Sequence, residues 1–169
     1  MNKIAILYGS TAGTTGSVAK QMAGLLEAAV FNVADNPSDE QLSQYDILII
    51  GTSTWGDGEL QDDWIDFLPV FTKYDLQKKT VALFALGDSS SYPDTFVNAM
   101  GEIYDSVKGK CLKIIGFVDT KGYKFDGSSA VVDGKFVGLP LDEDNESLLT
   151  GVRLKRWLEQ IMSEINETI

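Results

Sequence analysis

With 169 residues, 44% of them hydrophobic, the chain is long enough for one domain with a substantial core that needs neither disulfides nor structural metals. Fourteen basic against 25 acidic residues leave a formal charge of -11, which argues against nucleic acid and anionic membrane surfaces as partners and favours basic proteins. There is no histidine. That removes the commonest general base, the usual zinc ligand and every Ser-His or Cys-His pair, so the reactive group is expected to arrive with a cofactor.

The first element is an apolar run, Lys3 to Tyr8, continuous rather than alternating, which predicts a strand buried on both faces. A loop of small and hydroxyl residues, Gly9 to Thr15, leads into a helix whose apolar face is Val18, Met22, Leu25 and Ala29. Val30 to Ala34 predicts a second strand, Asn36 to Asp39 a turn, and Glu40 to Gln44 a brief helical connection. Asp46 to Ile50 is a third strand, followed by a long loop from Gly51 to Gln61 and an amphipathic segment from Asp62 to about Tyr74. Thr80 to Leu86 is the fourth strand, and Pro93 suits the first turn of a helix reaching about Lys108, with Phe96, Met100, Ile103 and Val107 inward. Cys111 to Val118 predicts a fifth strand, Asp119 to Lys135 is polar and glycine-dotted, and Phe136 to Leu141 resumes a strand. The last helix is expected from an N-cap near Thr150 to about Ile165, burying Leu154, Leu158, Ile161 and Ile165.

Cys111, the only cysteine, lies in an apolar run and reads as a buried structural thiol in a reducing compartment. No charged-then-apolar leader and no apolar run of membrane-spanning length is seen, so a soluble cytoplasmic protein of one domain is expected. Strands alternating with helices imply a doubly wound α/β fold, a parallel sheet with helices on both faces. In such folds a ligand lies beyond the carboxyl ends of the strands, where strand order reverses. Three loops reach that place: Gly9–Thr15, Thr52–Leu60 and Gly87–Tyr92.

The first loop joins strand to helix N-terminus, where free N–H groups and the helix dipole attract an anion. Ser10, Thr11, Thr14 and Thr15 add hydroxyl donors, and Gly9 and Gly13 let a ligand approach the backbone. No lysine stands in the loop, which excludes a Walker motif, and the G-x-G-x-x-G spacing is absent. The loop therefore reads as a phosphate seat made of dipoles and neutral donors. The other two loops each carry one aromatic residue, Trp55 and Tyr92, among small polar ones, a pattern suited to holding a flat ring.

These stretches carry a resemblance. Gly9-Ser10-Thr11-Ala12-Gly13-Thr14-Thr15, Thr54-Trp55-Gly56-Asp57-Gly58-Glu59-Leu60, Gly87 through Pro93, Gly122-Tyr123-Lys124-Phe125 and Phe136 through Asn145 together resemble the flavodoxins over essentially the whole chain. The segment of roughly 119–135 resembles the insertion that splits the last strand in the long-chain members. The resemblance implies a five-stranded parallel sheet of order 2-1-3-4-5, bound FMN (flavin mononucleotide), and one-electron transfer between partner proteins instead of enzymatic catalysis. It implies no catalytic residue and no metal ligand. Ser10, Thr11, Ala12, Gly13, Thr14 and Thr15 would hold the phosphate. Ser53, Thr54, Trp55, Gly56, Asp57 and Gly58 would line the second side, Trp55 stacking on the ring's inner face. Gly87 and Asp88 would meet the pyrimidine edge and Tyr92 the outer face. Ala12 stands where the family usually has Thr or Ser, and Ser89 where Gln is common.

Acidic residues from Asp57 to Asp66, and Asp142, Glu143, Asp144 and Glu146, are expected near the ring end, lowering the potential and steering basic partners. Implied partners are redox proteins such as a flavodoxin/ferredoxin-NADP reductase and electron-accepting enzymes, with this chain a monomer. The alternative reading is an FMN-dependent NAD(P)H or quinone reductase. A receiver-type signalling module is disfavoured, because the first and third strands end in Tyr8-Gly9-Ser10 and Ile50-Gly51-Thr52 without the acidic residues it needs.

Overall fold

The apolar runs become the strands, in the order the periodicity implies. The computed structural model describes residues 3–167; residues 1–2 and 168–169, the ends of the expected 1–169 span, lie outside the described residues. The chain runs β1 (Ile4–Tyr8), α1 (Thr14–Leu26), β2 (Ala29–Asn32), α2 (Asp39–Leu42), β3 (Ile47–Trp55), β4 (Glu59–Leu60), α3 (Asp62–Phe71), β5 (Thr80–Leu86), α4 (Asn98–Val107) and β6 (Lys113–Ile115). An excursion carries β7 (Val118–Asp119), β8 (Val131–Val132) and β9 (Lys135–Phe136), and the chain returns as β10 (Leu139–Leu141) before ending in α5 (Glu143–Asn166).

β1 pairs in parallel with β2 on one side and β3 on the other, and β5 lies beyond β3. The order 2-1-3-4-5 is therefore observed, with the fifth position shared by two short strands. β6 pairs with Thr80–Ala82 of β5 and β10 with Phe84–Leu86. Between them, β7, β9 and β8 form a separate three-stranded antiparallel sheet. The break falls at Gly116, where φ is 84°. Its carbonyl accepts from Trp157 Nε1 at 2.8 Å, its N–H donates to the Glu164 carboxylate at 2.8 Å, and the Gln160 amide donates to the Phe117 carbonyl at 2.8 Å. Side chains of α5 thus satisfy backbone groups that have left the ladder, which would otherwise be costly.

Alternate residues of the central strands feed two cores. Leu7, Leu48, Ile50, Leu83 and Ala85 face Trp64, Phe67 and Phe71 of α3 and Met100 and Ile103 of α4. Ile6, Ile49, Ala82 and Phe84 face Val18 and Met22 of α1 and Leu154, Trp157 and Ile161 of α5. Each large apolar side chain buried here contributes about 1.5–3 kcal/mol, and the two-sided burial holds the carboxyl ends of β1, β3 and β5 rigidly side by side.

Several boundaries differ from those the periodicity implies. α1 ends at Leu26 because Glu27 turns left-handed, φ 54°, so Ala29 opens β2 and Leu25 is 56% exposed. β2 stops at Asn32, whose side chain accepts from Ala34 N–H and starts a short 3-10 turn over Val33–Asp35. β3 runs on through Trp55 because Thr54 and Trp55 pair with Leu60 and Glu59 of β4. α4 begins at Asn98, not Pro93: the Pro93 carbonyl accepts from Asp126 and Gly127, which pins 93–97 to the excursion. Cys111 lies before β6 and is only half-buried, though burial still pushes its thiol pKa up. Lys135–Phe136 joins the small sheet, leaving Leu139–Leu141 for the main one. α5 is entered at Glu143, capped by Asp142, rather than near Thr150, and kinks at Glu146, φ -133° and ψ 40°, before its long remainder.

Candidate functional site

After β1 the chain must pass close over the start of α3. A Cβ on Gly9 would lie 2.2 Å from Gln61 Oε1 and 2.6 Å from Trp64 Cδ1, so only glycine fits. Gln61 itself, 1% exposed, braces two loops. Its amide nitrogen donates to Thr11 Oγ1 at 3.2 Å and to Asp63 at 2.8 Å, while its carbonyl oxygen caps α3 through Asp63 and Trp64 N–H. Ser10 Oγ accepts from Gly13 N–H at 3.0 Å, closing the turn from which α1 springs. Gly13, at φ 91°, is the α1 N-cap; no side chain caps this helix and its first turn holds no acidic residue. The positive end of the dipole, worth about half a charge, is therefore left to whatever enters the cleft beside it.

The second wall comes from the end of β3. The Trp55 indole N–H donates to Ser53 Oγ at 2.8 Å, which sets the ring's angle while 43% of the residue stays exposed. Thr54 Oγ1 is buried and has no hydrogen-bond partner. An unmet buried hydroxyl costs on the order of 1–3 kcal/mol, so it marks a place where a ligand acceptor or donor is wanted. Gly56 turns the chain at φ 48°.

The third wall is the loop after β5. Gly87 N–H donates to the Leu141 carbonyl at 3.0 Å, tying it to β10. Asp88 Oδ1 accepts from the Asn145 amide at 2.9 Å and from Ser91 N–H at 3.1 Å. These donors, Asn145 first, hold the Asp88 carboxyl below the usual range despite its partial burial. Tyr92 closes the loop, 41% of the residue exposed, and lines the same cleft as Trp55.

Together the walls enclose an open cleft of about 310 Å³. Ser10, Thr11, Ala12, Thr14 and Thr15 line one end; Ser53, Thr54, Trp55 and Gly56 one side; Gly87, Asp88 and Tyr92 the other. Three sequence-predicted residues do not line it. Gly13 shapes the turn as the left-handed N-cap of α1. Asp57 is instead the acceptor for the Thr95 hydroxyl at 3.4 Å, and Gly58 packs against Asn98 and Thr95 at the start of α4. Three lining residues escaped the list of binding residues: Leu86, Glu143 and Asp144. The two acids belong to the cluster expected near this end of the sheet. Burial, then Asp88, Asp142 and Glu143, push the Asp144 carboxyl above its ordinary range. None of the lining residues is basic.

The arrangement suits an elongated ligand with an anion at one end, seated on α1, and a flat ring at the other, between Trp55 and Tyr92 and beside three carboxylates. It defines an open α/β protein whose ligand lies where the chain, having gone outward from β1 to β2, returns to β3 on the other side. The flavodoxin family model matches residues 6–157. Flavodoxin 1 of Azotobacter vinelandii is 42% identical over 170 residues, 97% of this chain and 98% of its own. The flavodoxin of Synechocystis sp. is 42% identical over 165 residues, 95% of this chain and 96% of its own. The crystal structure of Fusobacterium nucleatum flavodoxin bound to flavin mononucleotide aligns with a TM-score of 0.89 at 31% identity, covering 97% of this chain and 99% of that one. The chain belongs to the flavodoxin family, a standard illustration of ligand binding where strand order reverses.

Proposed function

We propose that this chain is a low-potential one-electron carrier that works through bound FMN. The single observation carrying the reading is the uncapped N-terminus of α1 opening into the same cleft as the two exposed rings of Trp55 and Tyr92. The residues present fit the group. Thr54 Oγ1 lacks a partner, the α1 amides lack a cap, and the cleft floor offers Ser10, Thr14 and Thr15 hydroxyls. Bound FMN would supply the one-electron chemistry. The chain's part is to hold the phosphate by backbone dipoles and hydroxyls and to clamp the ring between Trp55 and Tyr92, away from water. Asp88, Glu143 and Asp144 would keep negative charge at the ring end, which disfavours adding a further electron and lowers the potential.

The segment of roughly 119–135, which lies between β6 and β10, is in this reading the long-chain insertion within a single 1–169 domain. The acidic rim would steer a monomeric carrier toward basic faces of redox proteins such as a flavodoxin/ferredoxin-NADP reductase, in the cytoplasm. Among the described residues no helix is long and apolar enough to cross a membrane. A carrier is favoured over an NAD(P)H or quinone reductase because the carboxylates of Asp88, Glu143 and Asp144 make the cleft a poor landing surface for a nicotinamide's phosphates.

The visible spectrum of the purified protein, and identification of any pigment released by acid, test this directly. A yellow protein yielding FMN, without NADPH turnover on its own, is expected. A colourless protein that takes up no FMN, or an isolated protein that oxidises NADPH steadily, would overturn it.

A further inference from the structure

Beside the cleft, behind its lining, lies a hydrogen-bonded chain that the proposed function does not use. Asp142 is a fully buried carboxylate, 0% exposed. Its Oδ1 accepts from Asn145 N–H at 3.2 Å, which caps α5, and its Oδ2 accepts from Ser89 N–H at 3.3 Å and from the Ser89 hydroxyl. The Asn145 amide nitrogen donates to both Asp142 oxygens, at 2.9 and 3.1 Å, and to Asp88 Oδ1 at 2.9 Å. Asp88 in turn accepts Ser91 N–H on its side chain and Tyr92 N–H, at 2.9 Å, on its carbonyl. One continuous path thus runs from the start of α5 to the backbone of Tyr92. Asp142, Asn145 and Ser89 do not themselves line the cleft.

We propose that Asp142 and Asn145 are positioning residues that fix the Gly87–Tyr92 loop in its ring-holding form before any ligand arrives. The proposal rests on the ring seat described above and adds what sets its shape. Three features support it. The loop has no helix or strand of its own, and its internal hydrogen bonds are those that Asp88 accepts from Ser91 and Tyr92, so the contacts that hold Asp88 and Ser89 from outside help set its form. Buried carboxylates are tolerated only when their oxygens are occupied, and those of Asp142 are filled by donors from the loop and from α5. Finally, Asp88, Asp142 and Asp144 place carboxylate oxygens within 4.8 Å of one another, and the Asn145 amide is the donor that holds two of the three together. Ser89 acquires a role here as well. Its hydroxyl reaches inward to Asp142, a contact that secures the loop from below without touching the cleft.

FMN and riboflavin differ only in the phosphate, so they separate the two ends of the cleft. A clamp on the ring loop acts on both ligands alike. The test uses full-length Ser89→Ala, Ser89→Thr and Asn145→Ala, none of which changes the charge. Apoprotein is titrated with each flavin, and amide hydrogen exchange of residues 87–92 is followed without ligand. Asn145→Ala should weaken both flavins by the same factor, roughly tenfold, and Ser89→Ala roughly threefold, the range of an ordinary net hydrogen bond. Ser89→Thr, which keeps the hydroxyl, should bind like the wild type, and the loop amides should exchange faster in both Ala variants. Ser89→Ala leaves the α5 cap intact and keeps the test open should Asn145→Ala fail to fold. Wild-type affinity for both flavins in the Ala variants, or weakening confined to FMN, would overturn the clamp. Were the wild type to bind neither flavin, the proposed function would fall instead. The exchange rates alone would then decide the clamp, and unchanged rates would overturn it.

Discussion

Two helix N-termini open onto one cleft, and they are finished in opposite ways. α1 follows β1 with no side-chain cap and no acidic residue in its first turn. α5 follows β10 capped by Asp142, with Glu143, Asp144 and Glu146 in its first turn. The backbones differ as well: α5 leaves the helical region at Glu146, φ -133° and ψ 40°, so its capped first turn is set off from the rest of the helix, whereas α1 runs from Thr14 to Leu26. At α5 the positive end is saturated internally, and the carboxylates repel further negative charge. At α1 the chain forgoes the ~1 kcal/mol a cap contributes, and the unmet donors are available to a ligand's anion. In the proposed reading the contrast gives the cleft a direction, with phosphate toward α1 and ring toward α5.

The largest effect is expected from making α1 resemble α5. Thr14 is exposed in the first turn, so Thr14→Asp should fold, and its carboxylate should stabilise the apoprotein by about 0.5 kcal/mol through the dipole. Beside a phosphate it should cost roughly 2–3 kcal/mol, one to two powers of ten in FMN affinity. Riboflavin titrated in parallel should hardly change; equal losses for both flavins would erase the contrast between the helices.

Next come the rings. Trp55→Ala and Tyr92→Ala should each weaken both flavins by about 1–3 kcal/mol, read by calorimetry. A loss confined to FMN would put the rings at the wrong end.

A smaller change is expected at Gly56. A Cβ there would meet nothing nearer than Glu59 at 3.9 Å, so the space is open and only the backbone, at φ 48°, objects. Gly56→Val should lower unfolding free energy by roughly 1–2 kcal/mol in urea, without loss of the fold. An unchanged midpoint would show that the loop relaxes freely.

The smallest concerns Asp144 on the α5 side. Its folded pKa is raised, so its contribution to stability is present below the unfolded value and lost as pH rises through the folded one. Asp144→Asn should therefore stabilise at neutral pH, by about 0.5 kcal/mol for so exposed a group, with the gain gone in strong acid. Asp88 works with the opposite sign. Its lowered pKa favours the fold above the ordinary carboxylate range and loses that effect as pH falls. A Asp144→Asn gain that persists at low pH would mean that charge crowding is not its source.

How much of this was legible in the sequence depends on how local the cause is. β1, β3 and β5 are apolar at successive positions because both faces are buried, and that pattern is visible in any window. The Gly9–Thr15 loop and the two aromatic residues were legible as cleft-lining because small, hydroxyl and aromatic types at strand ends have few other uses. The start of α5 was not, since apolar periodicity marks only its buried half. Leu148, 95% exposed, and Leu149 and Val152 break the pattern, although Asp142 and the acids after it were a helix-start signal. Glu143 and Asp144 reach the cleft for the same reason, through a cap rather than a stripe. Gln61 and Asn145 could not have been found from spacing. Their partners lie 50 and 57 residues away, at Thr11 and Asp88, and only the closed fold brings them together.

The direction of the cleft is tested most directly by titrating wild-type apoprotein with FMN and riboflavin under one set of conditions and taking the ratio of dissociation constants. FMN should bind at least roughly a hundredfold more tightly, the equivalent of about 2.7 kcal/mol contributed by the phosphate at α1. Equal dissociation constants would contradict it, leaving the bare N-terminus of α1 without a ligand to explain it.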